Sequence, residues 1–348
     1  MSGATAGISA GVVERLQVAP EVAAALAAAR PVVALESTLI SHGLAWPDNL
    51  AVARAAETAV RESGAVPATV AIHGGRILVG LDDAALGTLA RADAGSVLKA
   101  ARPSLAPALV AGGWAATTVS ATMLAAHAAG ISVFATGGIG GVHRVAGGGS
   151  GAVSLDISSD LDELARTPVA VVCAGPKAIL DVPNTLEVLE TRGVPVVAVG
   201  QPELPGFYAR SAGIAAPFRV DDEAAAATLV ATHLALGLGS GILVCVPVPV
   251  ESALPEAVAA DAVEQAIGDA RAGGVHGPEL TPWLLARIAA LTDGASVRAN
   301  TALIVNNAGF AGRLATHLAS RLAGAPDGAQ NHHRPGASPS VAARSGHR

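Results

Sequence analysis

Short runs rich in Val, Ala and Leu alternate along the chain with longer segments in which Ala and Leu recur at helical spacing among charged residues. Compact apolar runs of roughly four to eight positions read as strands, and the longer amphipathic segments as helices. Strands are predicted at Val32–Leu35, Thr69–His73, Arg76–Leu81, Ser132–Ala135, Val169–Ala174, Val194–Val199 and Ile242–Val248. Helices are predicted near Asn49–Ser63, Asp83–Arg91, Thr118–Ala129, Leu161–Arg166, Thr185–Thr191 and Glu223–Leu236, with three more toward the C-terminus, one of them including Val297–Ala308. This alternation predicts an α/β fold with a mixed, mostly parallel sheet covered by helices on both faces. Asp160-x-x-Glu163 and Asn184-x-x-Glu187 match the capping pattern of helix starts, and Gly64, Gly130 and Gly193 mark helix stops. Gly74-Gly75, between two apolar runs, predicts a hairpin and so at least one antiparallel pair.

The two ends lack this pattern. Residues 1–19 are small and polar and are expected to be flexible, residues 20–323 to form a single folded domain, and residues 324–348, rich in Pro, Gly and Ser, a disordered tail. The paired His332 and His333 in that tail read as solvated rather than metal-binding.

Composition changes the picture in one respect. The chain has 348 residues, 51% of them hydrophobic and only 14% charged, which raises the question of a membrane protein. Pro103 to Val142 contains no Asp, Glu, Lys or Arg, yet Gly112, Gly113, Thr117, Thr118, Ser120, Thr122 and His127 interrupt any long apolar run. The N-terminal sequence has neither the basic start nor the apolar stretch of a signal peptide, so a cytoplasmic location without membrane association is expected. The cysteines, Cys173 and Cys245, each sit inside an apolar run and read as buried thiols. A net charge of −6 with no cluster of Lys and Arg argues against a nucleic-acid polymer as partner and leaves a small anionic substrate open.

In open α/β sheets ligands sit outside the carboxyl ends of the strands, and four such places carry chemistry-bearing residues. Glu36 directly follows a buried strand and precedes Ser37, Thr38, Ser41 and His42; it suits general acid–base work, or else a helix cap. Gly137–Gly141, followed by His143 and Arg144, is a glycine-rich turn able to approach an anion, or an ordinary tight loop; it lacks the third glycine of a dinucleotide fingerprint. Asp156 and Asp160 flank Ser158 and Ser159 and offer oxygen ligands for Mn²⁺ or Mg²⁺, although capping also explains Asp160. Lys177 follows the most apolar strand and could act as a nucleophilic amine, with Lys99 as a second lysine whose charge would assist it; solvated lysines are the alternative. Asn300 and Asn307, seven apart, share a helix face and need partners.

Taken together, the runs VVALESTLISHG, GAVPATVAIHGG, ATTVSATM, FATGGIGGVHR, DISSDLDELARTPVAVVCAG, PKAIL, TLEVLETRGVP, LTPWLLARIAALT and NNA resemble the pseudouridine-5′-phosphate glycosidase, or indigoidine synthase A-like, family over residues 20 to 320. The resemblance implies a three-layer α/β/α fold, a homotrimer, one Mn²⁺ per subunit, and reversible conversion of pseudouridine 5′-phosphate and water into uracil and ribose 5-phosphate. It makes Glu36 the proton donor, Lys177 the imine-forming lysine and Asp156 the metal ligand. Lys99, Val119, Ser158, Ser159 and Asp160 become substrate contacts, and His143 and Asn300 line the same pocket.

The chain departs from the family pattern at several places. Val145 and an insertion AGGGSGAVS precede Asp156, Pro176 precedes the lysine where alanine is usual, Val246 replaces an asparagine, and Ala101-Arg102-Pro103-Ser104 has lost an arginine and an acid. A paralogue that binds a sugar phosphate without catalysis, or that acts on an altered substrate, is therefore the alternative. A nicotinamide-dependent oxidoreductase is the weaker third reading.

Overall fold

A computed structural model describes residues 10–144, 154–275, 280–324 and 342–343. The strands are β1 (Leu16–Val18), β2 (Val32–Leu35), β3 (Val66–His73), β4 (Arg76–Val79), β5 (Leu98–Ala100), β6 (Ala115–Thr117) and β7 (Val133–Ala135). They continue with β8 (Val142–His143), β9 (Ala170–Cys173), β10 (Leu180–Asp181), β11 (Val196–Val199), β12 (Phe218–Val220), β13 (Ile242–Cys245) and β14 (Ala342–Ala343). The helices are α1 (Ala10–Val13), α2 (Pro20–Ala27), α3 (Asp48–Glu62), α4 (Asp83–Arg91), α5 (Leu105–Ala111) and α6 (Val119–Ala129). After them come α7 (Ser159–Leu164), α8 (Val182–Thr191), α9 (Glu223–Ala235), α10 (Glu256–Ala272), α11 (Leu280–Leu291) and α12 (Ala295–Gly324).

The main sheet runs β1-β4-β3-β2-β7-β9-β13-β11-β12-β14, and from β3 to β12 every neighbouring pair is parallel. Alternation along each strand makes the three layers. Val33 and Leu35, Val133 and Ala135, and Val172 and Ala174 face the cluster built with α3, α9, α10, α11 and α12. Val32 and Ala34, Phe134, Val171 and Cys173 face the opposite cluster, covered by α2, α5, α6, α7 and α8. These strands are buried on both faces, which is why they read as unbroken apolar runs. The fold is the expected mixed, mostly parallel α/β sheet. The Gly74-Gly75 turn, with both glycines at positive φ, closes the antiparallel pair of β3 and β4.

Several details differ from expectation. Residues 10–19 contain α1 and β1, and Leu16, Gln17 and Val18 pair in parallel with Ile77, Leu78 and Val79, so a free edge of the sheet orders part of the expected flexible end. The expected N-caps at Asp160 and Asn184 are held instead by Ser158 and Asp181, whose side chains accept the amides of Asp160 and Asn184. Asp160 is drawn into another contact, and Pro183 in the first turn of α8 moves the start of that helix toward Asp181. The helix expected at Val297–Ala308 is part of a 30-residue helix. Its Gly309 and Gly312 allow close packing on α3, where a methyl on Gly312 would lie 2.6 Å from Cβ of Ser63. The insertion before Asp156 falls largely, and the histidine pair at 332 and 333 wholly, outside the described residues, as does nearly all of the C-terminal tail. Ala342 and Ala343 pair with Arg219 and Phe218.

One departure from a simple layered sheet positions the site. Strand β3 outruns β2: its first half pairs with β2 through Thr69, and beyond that point β6 pairs with Ala71 and Ile72. Strand β5 lies against β6, with Lys99 opposite Ala116. The short β5–β6 pair thus stands beyond the carboxyl end of β2, on the side where Glu36 emerges.

Candidate active site

Glu36 is buried at the end of β2 and is held by the hydroxyls of Thr38 and Thr136. Thr136 is the first residue after β7, so neighbouring strand ends supply the carboxylate and one of its donors. Ser37 continues across to β6, where its hydroxyl accepts the amide of Thr117 at 2.9 Å.

The glycine turn after β7 and the lysine segment after β9 are laced together. The amides of Ala174, Ile139 and Lys177 donate to the carbonyls of Gly137, Gly175 and Ile139 at 2.9, 3.2 and 3.1 Å. Each glycine here leaves room for something that presses on it. A methyl on Gly138 would lie 2.6 Å from the Phe207 ring and 2.9 Å from the Gly175 carbonyl oxygen; one on Gly140 would meet Ser158, and one on Gly141 would meet Thr185. The amides of Ile139, Gly140 and Val142 are already taken by Gly175, Asp160 and Thr185, so the turn is a packed junction rather than an open anion cradle.

Asp160 carries that junction. Its carboxylate accepts the amide of Ser120 at 3.0 Å, in the first turn of α6, and that of Gly140 at 2.9 Å. The starts of α6 and α7 therefore meet, and the hydroxyls of Ser120 and Ser159 lie 3.2 Å apart. The anion seated at the start of α6 is the Asp160 carboxylate itself, and the two serine hydroxyls beside it can meet the hydroxyls of a ligand. Val119, the first residue of α6, is buried. Arg102, near this junction, is held at 2.5 Å by the fully buried Glu163.

Lys99 reports how these pieces converge. Its side chain stays in contact with solvent while neighbouring segments crowd it. Desolvation and, next, the charge of Lys177 push its ammonium below the usual lysine range, while Glu36 and Asp160 oppose this. Four ionisable groups from four separate segments thus lie within one electrostatic neighbourhood. His42 adjoins it: its ring nitrogens contact the Ser41 hydroxyl at 2.7 Å and the Val97 carbonyl at 3.1 Å. Burial and then the Lys99 charge lower its pKa.

The remaining expected residues fall on the borders. Asn307 is fully buried and donates to the carbonyls of Thr136 and Gly137 at 2.9 and 3.4 Å, while its Oδ1 has no partner among the described residues. Asn300, on the same face of α12, approaches Gly137 and lines a cavity of about 160 Å³ with His42 and Tyr208. His143 is half-buried on β8, which pairs with β10 and so ties the glycine turn to the segment after Lys177; its amide donates to the Asp156 carbonyl.

Asp156 is exposed, and its carboxylate has no hydrogen-bond partner among the described residues. Asp160, committed to two amides, does not join it, and no group of three or more His, Cys, Asp or Glu able to hold a metal occurs among the described residues. A divalent cation that keeps most of its waters needs only one or two carboxylates, so Asp156 fits a hydrated ion and not a closed cage. Cys173 and Cys245 are register partners on β9 and β13, both buried and unoxidised. Their mutual hydrogen bond and burial push the Cys245 thiol well up, which excludes it as a ready nucleophile.

Sequence reasoning missed Thr136 and Tyr208. Thr136 carried a signal, as the first hydroxyl after a predicted strand. Tyr208 follows Phe207, held at a φ of 65°, in a loop without periodicity, and nothing local marked it. No helix among the described residues is long and apolar enough to cross a membrane.

The family model for indigoidine synthase A-like proteins matches residues 21–317. A protein of Paracoccus denitrificans named pseudouridine-5′-phosphate glycosidase is 54% identical over 88% of this chain and 99% of its own length. One of the same name from Solibacter usitatus is 52% identical over 87% and 99%. Among solved structures, the prealnumycin C-glycosynthase AlnA, in complex with ribulose 5-phosphate, superposes with a TM-score of 0.80 at 37% identity over 88% of this chain and 98% of its own. An indigoidine synthase A-like protein of Thermotoga maritima gives 0.75 at 32% identity, over 84% and 94%. Matched along almost its whole folded length by sequence and by structure, the chain belongs to the indigoidine synthase A-like family.

Proposed function

We propose that this chain is a pseudouridine-5′-phosphate glycosidase, which breaks and forms the carbon–carbon bond between uracil and ribose 5-phosphate. The observation that carries the reading is the strand order that sends Glu36, the glycine turn held by Asp160, and Lys177 out at adjacent carboxyl ends, with Lys99 on β5 beside them. The names of relatives at 54% and 52% identity, covering nearly their full length, supply the substrate. A sugar phosphate bound to the structural relative supports the same class of ligand.

A C-nucleoside has no nitrogen leaving group, so direct hydrolysis is slow and covalent help is required. The Lys177 amine attacks C1′ and displaces the ring oxygen, to which Glu36 gives its proton. The nitrogen lone pair then forms an imine as the C1′–C5 bond breaks and the uracil carbon takes a proton. Water hydrolyses the imine to ribose 5-phosphate and frees the lysine. The junction of Val119, Ser158, Ser159 and Asp160 receives the phosphate or sugar hydroxyls. His143 and Asn300 border the same site and orient the base. Asp156 would hold a hydrated Mn²⁺, one per subunit, which supplies Lewis acidity and ordered water. The homotrimer and the cytoplasmic location rest on the resemblance and the sequence alone; sedimentation tests the first.

The purified protein, incubated with uracil, ribose 5-phosphate and Mn²⁺, should form pseudouridine 5′-phosphate, whereas the folded Lys177→Ala variant should form none above background. A folded, metal-loaded wild type that forms no product would favour the altered-substrate or binding-only reading.

A further inference from the structure

A small, largely closed cavity of about 10 Å³ borders Glu36, between the strand ends and the helices α3 and α12. Its lining is apolar, from Leu35, Ala53, Ala56 and Ile304 among others, except for Glu36, Thr69 and Thr136. A space of that size holds about one water, and water enters such a space where polar groups can bind it. Thr69 faces two ways. It borders the cavity, and its hydroxyl donates to Oε1 of Glu57 at 2.5 Å. Glu57, on α3, is half-buried and reaches the surface.

We propose that a single buried water and the Thr69 hydroxyl connect Glu36 to Glu57, making Thr69 and Glu57 positioning residues that exchange the proton of Glu36 with solvent from behind the site. The proposal rests on the reading of Glu36 as the proton donor. Glu36 is buried already in the free protein, and substrate above it would close the front. When the Glu36 carboxyl gives up its proton to the water, the water passes one to Oγ1 of Thr69, and the Thr69 hydroxyl passes its own to the Glu57 carboxylate. One O–H bond forms for each that breaks, and no oxidation accompanies the transfer. Return follows from protonated Glu57 after the Thr69 hydroxyl turns toward the water. Desolvation raises the Glu57 pKa most, while the Thr69 hydrogen bond and then Arg61 lower it and Asp83 and Glu21 raise it, so Glu57 holds a proton more readily than an ordinary surface glutamate. Arg61 is itself paired with Glu21 on α2.

The test compares wild type with Thr69→Val, Thr69→Ser and Glu57→Gln, reading kcat, KM, the solvent deuterium isotope effect and the borohydride-trapped lysine adduct. Thr69→Val removes the hydroxyl at nearly constant shape. It should lower kcat roughly tenfold and raise the isotope effect, with KM and the trapped adduct unchanged; Thr69→Ser should restore wild-type values. Glu57→Gln should behave as Thr69→Val and should lose the part of the kcat–pH profile that titrates with Glu57. An active wild type whose kcat and isotope effect survive both Thr69→Val and Glu57→Gln overturns the relay alone. A wild type without turnover or trapped adduct overturns the relay together with the reading of Glu36 beneath it.

Discussion

Asp160 shows how much one side chain can do in this protein. Its carboxylate accepts two backbone amides from different segments, Ser120 and Gly140, and a hydrogen bond to a charged group is worth about 1.5–3 kcal/mol. Asp160→Asn keeps the size but turns an NH₂ toward one of those N–H donors. The variant should lose about 3 kcal/mol in urea unfolding, and more than tenfold in turnover because the α6–glycine junction loosens; unchanged stability and turnover would contradict the role. Glu57 makes a second prediction, in pH. Its folded pKa is raised above the ordinary glutamate value, chiefly by burial, so the folded state holds the proton longer than the unfolded chain. Stability is therefore greatest below that unfolded value and falls as pH rises through the folded pKa. Urea melts of Glu57→Gln from pH 4 to pH 8 should lack this decline; an equally steep decline would assign it to other groups. At this scale Glu36 and Lys177 were legible as candidates because each follows an apolar strand, and their roles came from the family resemblance. Asp160 was legible as a polar residue and misread as a cap, since its true partners lie 40 and 20 positions away in sequence.

Among the elements, strands and helices of the parallel core were legible because burial on both faces leaves a continuous apolar run and helix stops carry glycine. The short strands β1, β5, β6, β8, β10 and β12 were not, because two- or three-residue strands are fixed by their partners and leave little pattern of their own. That gap mattered, since β5 is the element that brings Lys99 to the site. The glycine turn was seen but its reason was not: its glycines answer to Phe207, Ser158, Asp160 and Thr185, which no local window contains. Gly138→Ala therefore meets an aromatic ring and a backbone oxygen that cannot both yield, and overpacking of this kind costs about 1–3 kcal/mol. Thermal melts should show that loss together with weaker turnover. Gly113→Ala, with nothing within 4 Å of the added methyl, should change neither; equal effects from both would argue against close approach as the reason for Gly138.

For the molecule as a whole, the sheet order brings β2, β7 and β9 side by side, so that Glu36, the glycine turn and Lys177 leave the sheet at adjacent carboxyl ends. Distant sequence segments become one site through this topology, and the β3 overrun adds Lys99 from beyond the edge of β2. Asp156 is exposed and its carboxylate has no hydrogen-bond partner among the described residues, so removal of the proposed metal should affect chemistry without affecting folding. A chelator should lower wild-type turnover toward the level of Asp156→Ala and leave the melting temperature of either protein unchanged; a large loss of stability would point to a caged structural metal instead. The assignment of the covalent step is the centre of the account, because two lysines share the neighbourhood and it is Lys99 whose pKa is lowered by burial and by Lys177. The direct measurement is to incubate the protein with ribose 5-phosphate, reduce with borohydride, digest, and locate the added pentose phosphate by mass spectrometry. The account predicts a single adduct on Lys177, and an adduct on Lys99, or none on an active enzyme, would contradict it.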